Sequence, residues 1–261
     1  MSYTALVMAA KRQGVIDPLA EKGGTTHKCL IDMDGVPMIE RVITSMVYAK
    51  DIDHIVISID EPEVLAGIPI IADGIRAGRI STTPSGENLF ISVMKALTKP
   101  EQFPCIVCTA DNALQPAEMV DHFVAEFEKD GCDAGVAVTM AETIWAKYPE
   151  GQRRPHKFKD GMWSNCNLFA LKSLETLGVA KAFEGGGQFG KSKKRVLQAC
   201  GWFNLLLYVS KQMTLKGTFE RISKRFGVRI TPLEMPWAEE PIDVDNERTE
   251  RIAREILVAR R

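Results

Sequence analysis

The sequence predicts an α/β protein: a three-layer sandwich with a mostly parallel central sheet and a helical insertion near 180–226. Three observations carry that expectation. Short apolar runs without helical period lie at residues 4–8, 54–59 and 104–109, a pattern that suits strands buried on both faces. Between them, stretches such as 37–48 and 116–128 repeat their apolar residues every three or four positions, as amphipathic helices do. Strand, helix and strand in this order make right-handed parallel units, and 261 residues are enough to bury a sizeable core.

The first strand empties into Ala9, Ala10, Lys11, Arg12 and, one residue further on, Gly14. A buried strand that ends in a small, cationic loop presents backbone N–H groups and positive charge to an anion, although basic turns also serve as plain solvated loops. Met38, Ile39, Val42, Ile43, Met46 and Val47 then stripe a helix that starts at Pro37. A second strand is expected at 54–59 and a weaker third at 68–71. Residues 81–88 form a polar turn cluster ahead of a helix at 89–97. There Ser85 is a helix cap, or Ser85, Gly86 and Asn88 offer backbone groups to a ligand; the two roles are compatible. Asp111 follows the best central strand, at the crevice where open α/β sheets bind ligands; the plainer reading is that it begins a turn.

Another strand is expected at 134–140, followed by a polar, basic stretch between Trp145 and Gly161 and a further strand at 163–171 containing Asn167. The glycine-rich, cationic stretch 184–195 reads either as a mobile lid or acceptor-phosphate loop, or as a solvated linker. Apolar 196–212 and basic, amphipathic 216–226 read as helices, with core packing as the default and an apolar acceptor channel or membrane-surface contact as the alternative. A last strand is expected at 228–232. Near the end, Asp243 and Asp245 precede a terminal helix carrying Ile252, Ile256 and Leu257, which Asp245 or Asn246 would cap.

Several of these segments together resemble the MobA-like nucleotidyltransferases. The resemblance lies in Ala5-Leu6-Val7-Met8-Ala9-Ala10-Lys11-Arg12, His27-Lys28-Cys29-Leu30, Gly35-Val36-Pro37-Met38, Thr109-Ala110-Asp111-Asn112 and Asp243-Val244-Asp245. It implies a GT-A-type, Rossmann-like nucleotidyltransferase fold in one domain, 1–261. Residues 1–125 would form the nucleotide-binding half, 126–235 the acceptor-binding half with the insertion, and 236–261 a closing strand-end and terminal helix. By the same resemblance Arg12 and Lys28 meet the triphosphate as catalytic cations, and Ala9, Ala10, Lys11 and Gly14 belong to the nucleotide-binding loop. Ser85, Gly86 and Asn88 lie against the base, and Asn167 faces acceptor or nucleotide. Asp111 and Asp245 hold Mg²⁺, with Asp243 as their partner on one strand face. The implied activity moves an NMP from an NTP to a phosphorylated small-molecule or lipid-like acceptor and releases pyrophosphate. Lys11 departs from the pattern, which has glycine there. A GT-A glycosyltransferase and a non-catalytic nucleotide-binding regulator are the alternatives.

Composition narrows the partners. A net charge of −1 gives no global pull toward nucleic acid or an anionic membrane, so any anion site is local. No apolar run approaches the about 18 residues that span a bilayer, so stable membrane insertion is not expected. The six cysteines lie mostly in apolar stretches and suit buried thiols in the cytoplasm. Cys105 and Cys108 have redox-motif spacing, yet strand alternation points them to opposite faces. The four histidines have neither triad-like nor metal-ligand spacing.

Overall fold

The computed structural model describes residues 1–11, 14, 16–183 and 212–261. The expectations placed on Arg12, on 184–195 and on 196–211 therefore lie outside the described residues.

Among the described residues, eight strands form one sheet: β1 (Tyr3–Met8), β2 (Ile52–Ile59), β3 (Ile80–Pro84), β4 (Cys105–Thr109), β5 (Ala134–Met140), β6 (His156–Phe158), β7 (Gly161–Leu171) and β8 (Ile230–Glu234). Their order is β3-β2-β1-β4-β7-β5-β8, with β6 paired to β7. The pairings of β1 with β2 and β4, of β2 with β3 and of β5 with β8 are parallel, while β7 runs antiparallel between β4 and β5. The chain builds outward from β1 through β2 to β3, then returns to place β4 on the other side of β1. That reversal opens a crevice at the carboxyl ends of β1 and β4, where α/β sheets bind ligands.

Helices cover both faces. On one face α2 (Met38–Tyr48) and α5 (Ala117–Asp130) bury Ile39, Val42, Ile43 and Met46 with Met119, Phe123 and Phe127 against β1, β2 and β4. The other face takes Val93 and Ala96 of α4 (Leu89–Ala96), Leu177 and Ala180 of a 3₁₀ helix (Leu174–Phe183), and Phe219 and Ile222 of α7 (Leu215–Phe226). A third cluster joins Leu19 of α1 (Pro18–Lys22) to Leu114, Ile242, Val244 and Ile252, the last from α8 (Glu247–Ala259). The remaining α-helices among the described residues are α3 (Pro69–Arg76) and α6 (Ala141–Lys147). Cys105 and Cys108 do enter opposite faces, and the cysteines among the described residues are free and buried. Among the described residues, no helix is long and apolar enough to cross a membrane.

Three local expectations are corrected. Residues 68–71 are not a strand: Pro69, lacking an N–H, opens α3, and Ile71 points into the core. The third strand is β3, which starts at Ile80 and overlaps the polar stretch 81–88. It lies at the sheet edge, where only Ile80 is fully buried and a terminal proline is tolerated, so its sequence looks like a turn. Finally, Asp243 and Asp245 share no strand face. The segment before α8 is irregular, and the Asp245 N–H donates to the Asp243 carbonyl at 2.9 Å in a tight turn.

Phe123 is fully buried between α5 and the sheet. Phe123→Ala is expected to lower stability by about 3–5 kcal/mol in urea unfolding, through lost burial and a residual cavity. A loss under about 1 kcal/mol would show that this face repacks freely.

Candidate active site

The site assembles at the crevice. β4 ends at Thr109, and Asp111 follows just beyond the sheet. Lys28 opens a short 3₁₀ helix (Lys28–Leu30). Its ammonium donates to Asp111 Oδ2 and Asp245 Oδ1, each at 2.7 Å, charge-assisted bonds at the short end of their range. Burial works against the Lys28 charge, but the two carboxylates outweigh it and raise its pKa. Burial likewise opposes the Asp111 charge, while the ammonium and its hydrogen bond hold that carboxyl below its ordinary value.

The C-terminal segment is brought here by backbone and apolar contacts together. The Val244 N–H donates to the Asp111 carbonyl at 3.2 Å, and Asn112 Nδ2 donates to the Glu240 carbonyl at 3.1 Å. Ile242 and Val244 fill the cluster beneath. Asp243 lies beside Asn167 of β7, whose amide donates to its Oδ1. Burial, then the negative charge of Asp111, Asp245 and Glu240, pushes the Asp243 carboxyl well above its ordinary range. Negative charge is thus crowded around a single lysine.

That crowding is the demand a divalent cation meets. Asp111, Asp243 and Asp245 are carboxylates, the donor type that Mg²⁺ prefers; among the described residues, though, the group whose ligand atoms lie within 4.8 Å of one another is His27, Asp60 and Glu61.

Lys11 turns elsewhere. Its ammonium donates to Glu61 and lies 3.6 Å from Asp60 Oδ2, so its charge is largely taken up by carboxylates after β2. The Ala9 N–H extends the sheet ladder to the Ser58 carbonyl at 2.9 Å, Ala10 is exposed, and Gly14 adopts a left-handed φ of 70°. Beyond β3, Asn88 rather than Ser85 caps α4, accepting from the Ile91 N–H at 2.9 Å. The Gly86 N–H donates to Ser92 Oγ at 2.8 Å, and the Ser85 carbonyl accepts from Lys95. This turn therefore spends much of its hydrogen-bonding capacity on its own shape. A side chain on Gly86 would collide with Ile91. Asn246 caps α8 through Thr249 at 3.2 Å, which leaves the Asp245 carboxylate to Lys28.

Residues 20–183 match the MobA-like NTP transferase domain. The chain belongs to that family. It is a nucleotidyltransferase, and the matched region holds Lys28, Asp111 and Asn167, with the first loop and the late aspartates outside it. Comparison with the curated proteins finds no match. Among solved structures, a hypothetical transferase from Thermus thermophilus aligns over 96% of this chain and 100% of its own, with TM-score 0.73 and 22% identity. The 4-diphosphocytidyl-2C-methyl-D-erythritol synthase of Anaerococcus prevotii aligns over 98% of both chains, with TM-score 0.57 and 12% identity. CMP:2-keto-3-deoxy-manno-octonic acid synthetase complexed with CTP aligns over 100% of both, with TM-score 0.57 and 11% identity. At these identities the likeness is one of fold.

Sequence reasoning missed His27, Asp60, Glu61 and Glu240. Asp60 had a usable signal: like Asp111, it follows an apolar strand at its carboxyl end. Glu240 had none, because a glutamate before proline reads as surface loop. It is fully buried, accepting from the Asn167 N–H at 3.1 Å, and burial raises its carboxyl to about 7. A raised acid binds protons more tightly folded than unfolded, so stability is lost as pH rises from about 4.5 to about 7. Glu240→Gln is therefore expected to gain stability over wild type between pH 5 and pH 8, by on the order of 3 kcal/mol, in urea unfolding with EDTA present. Parallel pH profiles would refute a buried ionising Glu240.

Proposed function

We propose that this nucleotidyltransferase moves an NMP from an NTP to a phosphorylated small-molecule or lipid-like acceptor, with Mg²⁺ and release of pyrophosphate. The observation that carries the reading is the Lys28 ammonium shared by Asp111 and Asp245 at the mouth of the strand-end crevice. An acceptor phosphate oxygen attacks the α-phosphorus, the bond from that phosphorus to the bridging oxygen breaks, and pyrophosphate leaves with the electron pair. An acceptor phosphate is already anionic at neutral pH, so no general base is required. Neutralising the phosphates and aligning attacking and leaving oxygens are the tasks left to the protein.

Asp111, Asp243 and Asp245 would hold Mg²⁺, which when bound offsets phosphate charge. Lys28 supplies positive charge to the triphosphate, and Arg12 joins it by its place in the sequence motif. Ala9, Ala10, Lys11 and Gly14 line the nucleotide loop through their backbone, with the Lys11 side chain held aside. Ser85, Gly86 and Asn88 shape the wall for the base through the groups their turn leaves free. Asn167, on the central antiparallel strand, faces acceptor or nucleotide, with its amide also donating to Asp243. In this reading 1–125 serves the nucleotide, 126–235 the acceptor and 236–261 closes the site. Buried free thiols and a near-neutral net charge favour a cytoplasmic enzyme that acts on small molecules rather than nucleic acid. Family membership favours nucleotidyl transfer over sugar transfer. With Lys11 engaged by Glu61, the glycine departure no longer argues for a catalytically silent regulator.

The test incubates the protein with each NTP, Mg²⁺ and a panel of phosphorylated acceptors, and measures pyrophosphate. Turnover is expected with one acceptor class, abolished by EDTA and reduced about 100-fold or more by Asp111→Asn. Silence on every acceptor, together with NTP binding unaffected by that substitution, would overturn the reading.

A further inference from the structure

One carboxylate outside the acidic cluster holds both sides of the crevice. β2 ends at Ile59, and Asp60 is the next residue. Its Oδ1 accepts from the Lys11 backbone N–H at 3.2 Å and lies 3.2 Å from His27 Nε2. Its Oδ2 stands 3.6 Å from the Lys11 ammonium, which also donates to Glu61. His27 is fully buried, and its Nδ1 lies 2.9 Å from Thr26 Oγ1. The His27 ring thus bridges the Asp60 carboxylate and the Thr26 hydroxyl. His27, Asp60 and Glu61 bring one ligand atom each within 4.8 Å of one another, but Lys11 already supplies the cation there.

The placement along the chain gives these contacts their meaning. Lys11 immediately precedes Arg12, and His27 immediately precedes Lys28. Past the Ala9 N–H, which still pairs with β2, the Lys11 N–H is the next backbone hold on the outgoing loop. We propose that Asp60 is a positioning residue for the triphosphate, setting the separation between the loop after β1 and the short helix that carries Lys28. The inference rests on the nucleotidyl-transfer reading and adds to it a residue that touches neither phosphate nor acceptor. Asp60 acts through Lys11 and His27. Misplacing a phosphate-binding cation by about 1 Å is enough to cost a large share of the binding and rate it supplies.

The test compares full-length wild type with Asp60→Ala and Asp60→Asn. Amide hydrogen exchange without nucleotide reads the anchor, and calorimetry with Mg²⁺ plus either CTP or inorganic triphosphate reads the positioning. Asp60→Ala is expected to speed exchange about tenfold both at residues 9–11 and at 27–30 and to weaken both probes about tenfold. Its melting temperature should stay within about 5 °C of wild type. Asp60→Asn keeps an acceptor for the Lys11 N–H but not the charge, and should fall between the two. If Asp60→Ala does not fold, the Asn variant decides by the same two readouts. Exchange that quickens in one segment alone, or in neither, overturns the shared anchor. Faster exchange with unchanged affinity for both probes overturns the positioning role while leaving nucleotidyl transfer standing. Wild-type protein that binds neither probe overturns the nucleotide reading, and this role with it.

Discussion

A lysine ammonium held between two carboxylates organises this molecule. Lys28 stands 83 residues from Asp111 and 217 from Asp245, yet bonds both at 2.7 Å. Around them, Asp243 and buried Glu240 add further acidic groups whose mutual repulsion and burial would oppose folding if all ionised. The positive charge makes that crowding tolerable, and two of the acids ease it further by holding their protons above the ordinary range. In the nucleotidyl-transfer reading proposed above, the same concentration of charge would serve a divalent ion and the phosphates that travel with it. Stability is given up where chemistry needs concentrated charge.

The scaffold keeps this arrangement in register by dividing the work. Parallel strands β1, β2 and β4, buried on both faces, set where Ala9, Asp60 and Asp111 emerge, because Ala9 and Asp60 directly follow their strands and Asp111 lies two residues past the end of β4. Loops then carry the charged groups, and each is tied back by specific bonds: Lys11 and His27 to Asp60, Val244 and Asn112 between the β4 end and the closing segment. Antiparallel β7 joins the two sides of the sheet. Its Phe169 and Leu171 pair with β4 and β5, while Asn167 reaches Asp243 at the crevice. A rigid sheet thus presents ligands on short, pinned connections, which suits a reaction governed by alignment.

Much of this was legible in the residues. Strands β1, β2 and β4 announce themselves by short apolar runs, and α2, α5 and α8 by their stripes, because burial on two faces or one leaves a period in the sequence. β3 was not legible. An edge strand buries little, so Ser81, Thr82 and Thr83 carry the polarity of a turn. The run at 68–71 misled in the opposite sense, since four residues are too few to separate strand from helix and Pro69 decided the matter. In the site, Lys28, Asp111 and Asp245 could be singled out by motif. Asp60 had the same strand-end signal as Asp111, but its partners Lys11 and His27 were not legible, and Glu240 had no local signal at all.

The sequence by itself determined the layered α/β architecture, the strand-to-cationic-loop opening, the candidate acids and the opposed faces of Cys105 and Cys108. These follow from local period and composition, which neighbouring residues carry on their own. Only the tertiary structure decided that β7 enters the sheet antiparallel, that Asp243 and Asp245 meet through a tight turn, that Lys11 is drawn off by Asp60 and Glu61, and that Lys28 closes the acidic cluster. Charge pairing and hydrogen bonding act over a few ångströms whatever the separation along the chain, so their outcome is set by the folded geometry and leaves no period to read.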